Sequence, residues 1–270
     1  MSAVKFAAQI LLDANSPACL WRHPIQSLKV IVAILWNLLI KAEGKLIPGG
    51  GRECNVCNWH GRHFRSFISA DEIIYHCICP GCGSFDRHRQ LVLGVRRELA
   101  NRKGWTPAVM VGFSLSTAVR FLLEHEGLAR CFRTDIAIGD PRFAPDVVAD
   151  LRSTPFADAS IEWVFCSHVL EHIPELDECL AEIDRVLMPG GAAWIQVPFE
   201  PGQTKSQQIE IDPMRAHAHA WQFAPDFGTL IQRPGWSVTE VVAADEVSAA
   251  DRDRYGIDPQ ERYWLVRKAG

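Results

Sequence analysis

The chain has 270 residues, 48% hydrophobic and 22% charged, enough for one large folded unit or a domain with an appendage, which excludes wholesale disorder. Lys and Arg number 28 against 32 Asp and Glu, so the net charge is −4, which excludes a globally basic nucleic-acid binder but not a local basic face. Nine cysteines, four of them in two Cys-x-x-Cys pairs, point to metal binding in a reducing compartment rather than to a disulfide scaffold.

Residues 1–48 form an amino-terminal helical segment. Val4–Leu12 and Ile25–Ile40 read as helices, separated by the Asn15-Ser16-Pro17 and His23-Pro24 breakers. No basic, apolar and small-residue succession marks an export signal, and the expected location is cytoplasmic. The longest apolar run, Val30 to Ile40, contains Asn37 and is flanked by Lys29 and Lys41. It falls short of the roughly 20 apolar residues a membrane span needs. Leu28, Val30, Ile31, Ile34, Leu35, Leu38 and Leu39 make this helix apolar nearly all round, so it must be buried. Its cover is the rest of the chain or a twin subunit in a homodimer; the other readings are a lid over an apolar substrate and a membrane-surface contact.

Residues 49–104 begin with the triple glycine Gly49-Gly50-Gly51, a hinge or linker. Cys54-Asn-Val-Cys57 and Cys79-Pro-Gly-Cys82 then each set two thiolates on a tight turn. Asn58 and Gly83 follow the pairs, and both suit the positive φ that ends such a knuckle. Four soft ligands from two turns select Zn²⁺, and a closed four-cysteine set makes it structural rather than catalytic. His76 and Cys77 lie close enough in sequence to replace a ligand. Cys19, Cys131, Cys166 and Cys179 lack metal-like spacing and read as core thiols. A helix follows from Phe85 to Arg102. Residues 52–103 hold nine Lys and Arg against five Asp and Glu, a weak basis for nucleic-acid binding. Arg87, His88 and Arg89 either hold an anionic group or cap the metal cluster.

Residues 105–270 alternate strand-like and helix-like segments, which predicts an α/β fold with a parallel sheet and helices on both faces. The expected strands are Ala108–Gly112, Arg130–Asp135, Asp146–Asp150, Ile161–Cys166, Ala192–Val197, Trp236–Val242 and Tyr263–Arg267. Helices are expected at Ser116–Glu126, through Leu176, Cys179, Leu180, Ile183 and Leu187, and near Pro225–Gln232, with a turn at Pro189-Gly190-Gly191. Ligands of such sheets bind beyond the carboxyl ends of the strands, where Gly112, Asp135, Asp150 and Ser167-His168 fall. Carboxylates there can accept from ribose hydroxyls or an amine.

The run Asp146-Val-Val-Ala-Asp150-Leu-Arg-Ser-Thr-Pro-Phe156-Ala-Asp158, the run Ile161-Glu-Trp-Val-Phe-Cys-Ser-His168-Val-Leu-Glu171-His172-Ile, and Arg185-Val-Leu-Met-Pro-Gly-Gly191 resemble class I S-adenosylmethionine-dependent methyltransferases, nearest the quinone-biosynthesis branch. Cys82 to Arg89 resembles the amino-terminal zinc-ribbon module of a bacterial subgroup of that family. The resemblance implies a Rossmann-like domain that methylates a small-molecule acceptor at oxygen or nitrogen in a biosynthetic pathway. It makes Asp135, with Ile136, the ribose-side contact, and Asp150 and Leu151 the adenine contacts. Ser167 and His168 lie beside the methionine part, and Gly112, with Phe113, is where the backbone approaches the cofactor.

Met110 stands where the family usually has an acid, Ser114 and Ser116 replace glycines, and Glu162 replaces an Asp. The expected turn is therefore altered, with weaker or lost cofactor binding as its consequence. An acceptor of high pKa needs a base: His168 first, then His219, with His172 and His217 nearby. The long segment Pro198–His219 shapes the acceptor pocket. A zinc module reading RNA or protein, and a degenerate cofactor-binding scaffold, are the competing readings.

Overall fold

The computed structural model describes residues 24–46, 50–68, 73–102, 107–114, 131–136, 145–199, 202–211 and 219–270. The expected helices at Val4–Leu12 and Ser116–Glu126, and residues Cys19, Ser116 and His217, lie outside these.

Seven strands make the central sheet: β5 (Met110–Phe113), β6 (Cys131–Asp135), β7 (Val147–Val148), β8 (Ile161–Ser167), β9 (Leu187–Gln196), β12 (Trp236–Val242) and β13 (Arg262–Lys268). Their order is β12-β13-β9-β8-β5-β6-β7. Strands β5 to β9 run parallel, whereas β13 is antiparallel to both β9 and β12. The sheet is the expected α/β, Rossmann-like one, with a single reversed strand near one edge. Its order reverses at β5, which pairs with β6 on one side and β8 on the other, opening the switch-point crevice at their carboxyl ends.

Both faces are covered. Helix α3 (Leu176–Val186) buries Leu176, Cys179, Leu180 and Ile183 on one face, with Val111, Val164 and Ile195 of the sheet. Helix α2 (Asp86–Asn101) covers the other with Leu91 and Val95, against Met110, Trp163, Phe165 and Trp194. Gly94 of α2 lies so close to Tyr263 that a Cβ there would meet the phenol oxygen at 2.4 Å. Glu98 accepts from both terminal nitrogens of Arg267, at 2.8 and 2.6 Å. The helix after the cysteine pairs is thus part of the sheet's covering layer.

The expected Pro189-Gly190-Gly191 turn is instead carried inside β9. Ile161 pairs with Leu187 and Trp163 with Ala192, so the intervening residues bulge, with Gly190 at φ +78°. Between β9 and β12 lie β10 (Gln207–Gln208) paired with β11 (Trp221–Gln222), and the short helix α4 (Phe227–Leu230). Helices α5 (Ala243–Glu246) and α6 (Ala249–Tyr255) separate β12 from β13.

Ahead of the sheet, β1 (Arg52–Glu53) pairs with β2 (His60–Gly61), and β3 (Arg65–Ile68) with β4 (Ile73–Ile78). Gly50 is no free linker residue: a Cβ would meet the Gly61 carbonyl oxygen at 2.2 Å. Helix α1 (Pro24–Leu46) lies against β3 and buries Val30, Ala33 and Ile40, which share one face with Asn37 at helical spacing. Asn37 completes that face by donating to the Ser66 carbonyl and accepting from its N–H, each at 2.8 Å. Most of the rest of the expected buried face is not covered by the described chain: Leu28, Ile31, Leu35, Leu38 and Leu39 are exposed, as is Val32, while Ile34 is half-buried. No helix among the described residues is long and apolar enough to cross a membrane.

Candidate functional site

The two Cys-x-x-Cys turns converge. Cys54 Sγ lies 3.7 Å from Cys82 Sγ, Cys57 Sγ lies 3.7 Å from Cys79 Sγ, and all four sulfurs fall within 4.8 Å of one another. Metal–sulfur bonds of about 2.3 Å in a tetrahedron put sulfurs roughly 3.8 Å apart, so the set fits a tetrahedral ion. Asn58 and Gly83 adopt φ of +56° and +77°, as the spacing predicts, and each returns its N–H to the first cysteine's carbonyl. Gly81 N–H donates to Cys79 Sγ at 3.3 Å. Hydrogen bonds from Cys57, Cys79 and Cys82 pull the Cys54 thiol far below its ordinary value.

The neighbours in sequence stay outside the cluster. Cys77 Sγ donates to the Ile74 carbonyl, and burial pushes its thiol up to about 12. His76 sits at φ +57° with Nδ1 3.3 Å from the Phe64 carbonyl. Nor does Arg89 cap the sulfurs. Fully buried, it donates to the carbonyls of Cys77, Ser84, Tyr255 and Gly256 and stacks over Phe64, tying the cysteine turns to the end of α6.

The second locus is the crevice at the strand ends. Asp135 ends β6, and its carboxylate accepts from Ser114 Oγ at 2.7 Å. Ser114 sits at φ +49°, the conformation a glycine takes at no cost, so the serine keeps a sharp turn and adds a hydroxyl. Ile136 beside it is 68% exposed, an apolar platform next to a carboxylate. Gly112 lies buried in β5, paired with Phe165 and Arg133. Phe113 and Leu151 bury their side chains in the core, so only their backbones are available to a ligand. Hydrogen bonds from Arg152, which also bridges to Glu175, lower the Asp150 carboxyl from its ordinary value.

Two departures acquire physical reasons. Met110 is buried among Leu91, Trp163 and Phe165, where an acid would have no partner. Glu162 accepts from the N–H groups of Ala108 and Val109, fastening the start of β5.

Ser167 and His168 close β8. Ser167 Oγ donates to Gln196 Oε1 at 2.9 Å, and Gln196 Nε2 donates to the Arg87 carbonyl, joining β8, β9 and the start of α2. His168 adopts φ +56°. Its Nδ1 lies 3.3 Å from Oε1 of Glu171, whose carboxyl burial pushes up. His172 Nε2 is 4.0 Å from the same oxygen. Ala220 N–H donates to the Glu171 carbonyl at 2.7 Å, which sets His219 against His172 with ring centroids 4.9 Å apart. The three candidate bases therefore gather around one buried carboxylate. Sequence reading gave Glu171 no role, because nothing in its local pattern reveals burial.

Residues 114–195, spanning Ser114, Asp135, Asp150, Ser167 and Glu171, match the family model of the methyltransferase domain. That match spans 82 of the 270 residues, under a third of the chain. The sterol 4-C-methyltransferase strm-1 of Caenorhabditis elegans is 42% identical over 45 residues, covering 17% of this chain and 14% of that protein. The chain thus matches only about one seventh of the length of that curated relative. Among solved structures, an S-adenosylmethionine-dependent methyltransferase from Mesorhizobium loti has a TM-score of 0.49 at 13% identity, over 67% of this chain and 98% of its own. The 1,6-didemethyltoxoflavin-N1-methyltransferase of Burkholderia thailandensis, solved with its substrate and S-adenosylhomocysteine, has a TM-score of 0.48 at 16% identity, over 68% and 79%. A methyltransferase from Archaeoglobus fulgidus has 0.45 at 16%, over 67% and 94%.

Proposed function

We propose that the chain transfers a methyl group from S-adenosylmethionine to oxygen or nitrogen of a small biosynthetic acceptor. The observation that carries this reading is the Ser114–Asp135 pair beside exposed Ile136, inside the segment that matches the methyltransferase-domain model and at the switch point of the sheet. A carboxylate next to an apolar platform suits a nucleoside, whose ribose donates hydroxyls and whose base stacks. Asp135 would hold the ribose, Asp150 and the Leu151 backbone the adenine, and Gly112 and Ser167 the methionine part.

The cofactor supplies an activated methyl on a good leaving group, so the protein's share is alignment and exclusion of water. His168, beside the Glu171 carboxylate, is proposed to take the acceptor's proton, with His219 and His172 completing that wall. Cys54, Cys57, Cys79 and Cys82 would hold a structural zinc.

A small acceptor is favoured over RNA by how the cysteine unit spends its cations. Arg65 and Arg89 turn inward, while Arg52, Arg97 and Arg102 pair with Asp253, Glu246 and Glu98. Calorimetric titration with S-adenosylmethionine tests the reading. Wild type should bind and Asp135→Ala should bind at least about tenfold more weakly, the loss expected for a charge-assisted hydrogen bond. Equal affinities in wild type, Asp135→Ala and Asp150→Ala would reject the site. Zinc is tested by metal analysis of the purified chain, with Cys54→Ser and Cys82→Ser expected to lose it.

A further inference from the structure

Helix α1 buries one face and leaves the opposite one open. Leu28, Val32, Leu35 and Leu39 are 61, 56, 55 and 60% exposed, in contrast to Val30, Ala33 and Ile40 on the face toward β3. Single exposed aliphatic residues mean little, but these four stand in one line, at steps of four, three and four residues. In the sequence the same alternation of three and four runs back to Ile25 and on to Ala42 and Leu46. This is a seven-residue repeat, about three heptads long, along nearly all of Pro24–Leu46. Ile25, Val32, Leu39 and Leu46 take its a positions, and Leu28, Leu35 and Ala42 its d positions.

The packed face has a definite place in that repeat. Val30 and Asn37 fall at f, Ala33 and Ile40 at b, and both positions point away from an a/d seam. The cysteine unit therefore hangs on the far side of the helix and leaves the seam free for a second helix. Lys29 is the only charged residue from Leu28 to Ile40. A helix lying on a membrane turns a charged face to water, but the face of α1 opposite the strip is spent on β3.

We propose that the chain forms a homodimer in which α1 pairs with α1 of a second copy as a parallel two-stranded coiled coil. β-Branched residues at a, here Ile25 and Val32, with Leu28 and Leu35 at d, favour two parallel strands. Ile31 and Leu38 at g and Trp36 at e widen the strip, at 43, 40 and 41% exposure. Taken over two copies, the strip holds on the order of 1,000 Å² of apolar surface, the size at which a specific interface begins. A groove of about 420 Å³ beside it, lined by Leu28, Val32, Trp36 and Tyr75, loses its open side in the pair. The pairing is independent of the methyl-transfer reading.

The test is the mass of the purified full chain by sedimentation equilibrium at micromolar concentration. Wild type should sediment as two chains. Leu35→Glu and Leu39→Glu should each sediment as one, with association weakened by about a hundredfold or more, because each buries unpaired carboxylates in the seam. Both side chains face solvent in the single chain, so circular dichroism should match wild type; should one variant unfold, the other decides. Oxidised Leu28→Cys should link two copies where wild type does not, since only parallel helices set the two residues 28 side by side. A monomeric wild type, a trimer or larger assembly, or a dimer kept by both glutamate variants overturns the proposal. A monomer that floats with vesicles of phosphatidylcholine and phosphatidylglycerol overturns it in favour of a lipid surface, and a dimer without the Leu28→Cys link overturns the parallel arrangement.

Discussion

Ser114 Oγ donates to the Asp135 carboxylate at 2.7 Å from a backbone held in the left-handed region. A non-glycine residue there costs about 1 kcal/mol, and a hydrogen bond to a charged group returns about 1.5–3 kcal/mol. The serine therefore replaces the usual glycine without net loss and aims the carboxylate. Ser114→Ala keeps the backbone cost and loses the bond, and should destabilise the fold by about 1–2 kcal/mol. Ser114→Gly loses both together and should melt above the alanine variant. Thermal unfolding of the three proteins checks the ranking; an alanine variant at least as stable as the glycine variant would contradict it.

Gly94→Ala sets two effects against each other. Alanine inside α2 gains about 1 kcal/mol of helix propensity. Its Cβ would stand 2.4 Å from the Tyr263 phenol oxygen and 2.8 Å from Cζ, on a side chain locked in the core. Overpacking costs about 1–3 kcal/mol, so net destabilisation is expected. Tyr263→Phe removes the nearer atom and should recover part of the loss, measured by urea unfolding of the double variant.

Arg89 is the tie between the cysteine turns and α6. Its guanidinium satisfies four carbonyls from three separate segments, a geometry that the single ammonium of lysine cannot reproduce. Arg89→Leu leaves those acceptors buried without a donor and should cost about 3–5 kcal/mol. Arg89→Lys should recover less than half. Chemical denaturation of both variants checks the ranking; an Arg89→Lys variant as stable as wild type would contradict it.

Much of this molecule could be read from residue patterns, and the failures share a cause. Alternation and spacing located β12 at Trp236–Val242 and fixed the positive φ of Asn58 and Gly83, because these depend on local chain geometry. Asn37 looked like an interruption of an apolar helix and is its anchor on Ser66; Arg89 looked like a ligand group and is a clamp to residues 166 and 167 positions away. In both cases the partner lies far along the chain. The reversed direction of β13 escaped for a similar reason, since strand direction depends on the path of the connection and not on the strand's own residues. Glu171 shows the same limit within the candidate site. Its flanking histidines were legible, but its burial follows from Ala220 and the β11 loop folding over it.

Glu182 gives the acid limb of stability a specific origin. Hydrogen bonds from Arg185, and then from Thr154, bring its carboxyl down from 4.5 to about 2, against the opposing pull of burial. Between those values the unfolded chain binds a proton that the folded chain does not. The resulting stabilisation is complete above about pH 4.5 to 5 and is lost as pH falls toward 2. Glu182→Gln cannot titrate, so it should be less stable than wild type at pH 7 and decline more shallowly between pH 5 and pH 2. Urea midpoints measured across that window should converge for the two proteins as the pH drops; parallel curves would place the acid sensitivity on other carboxylates.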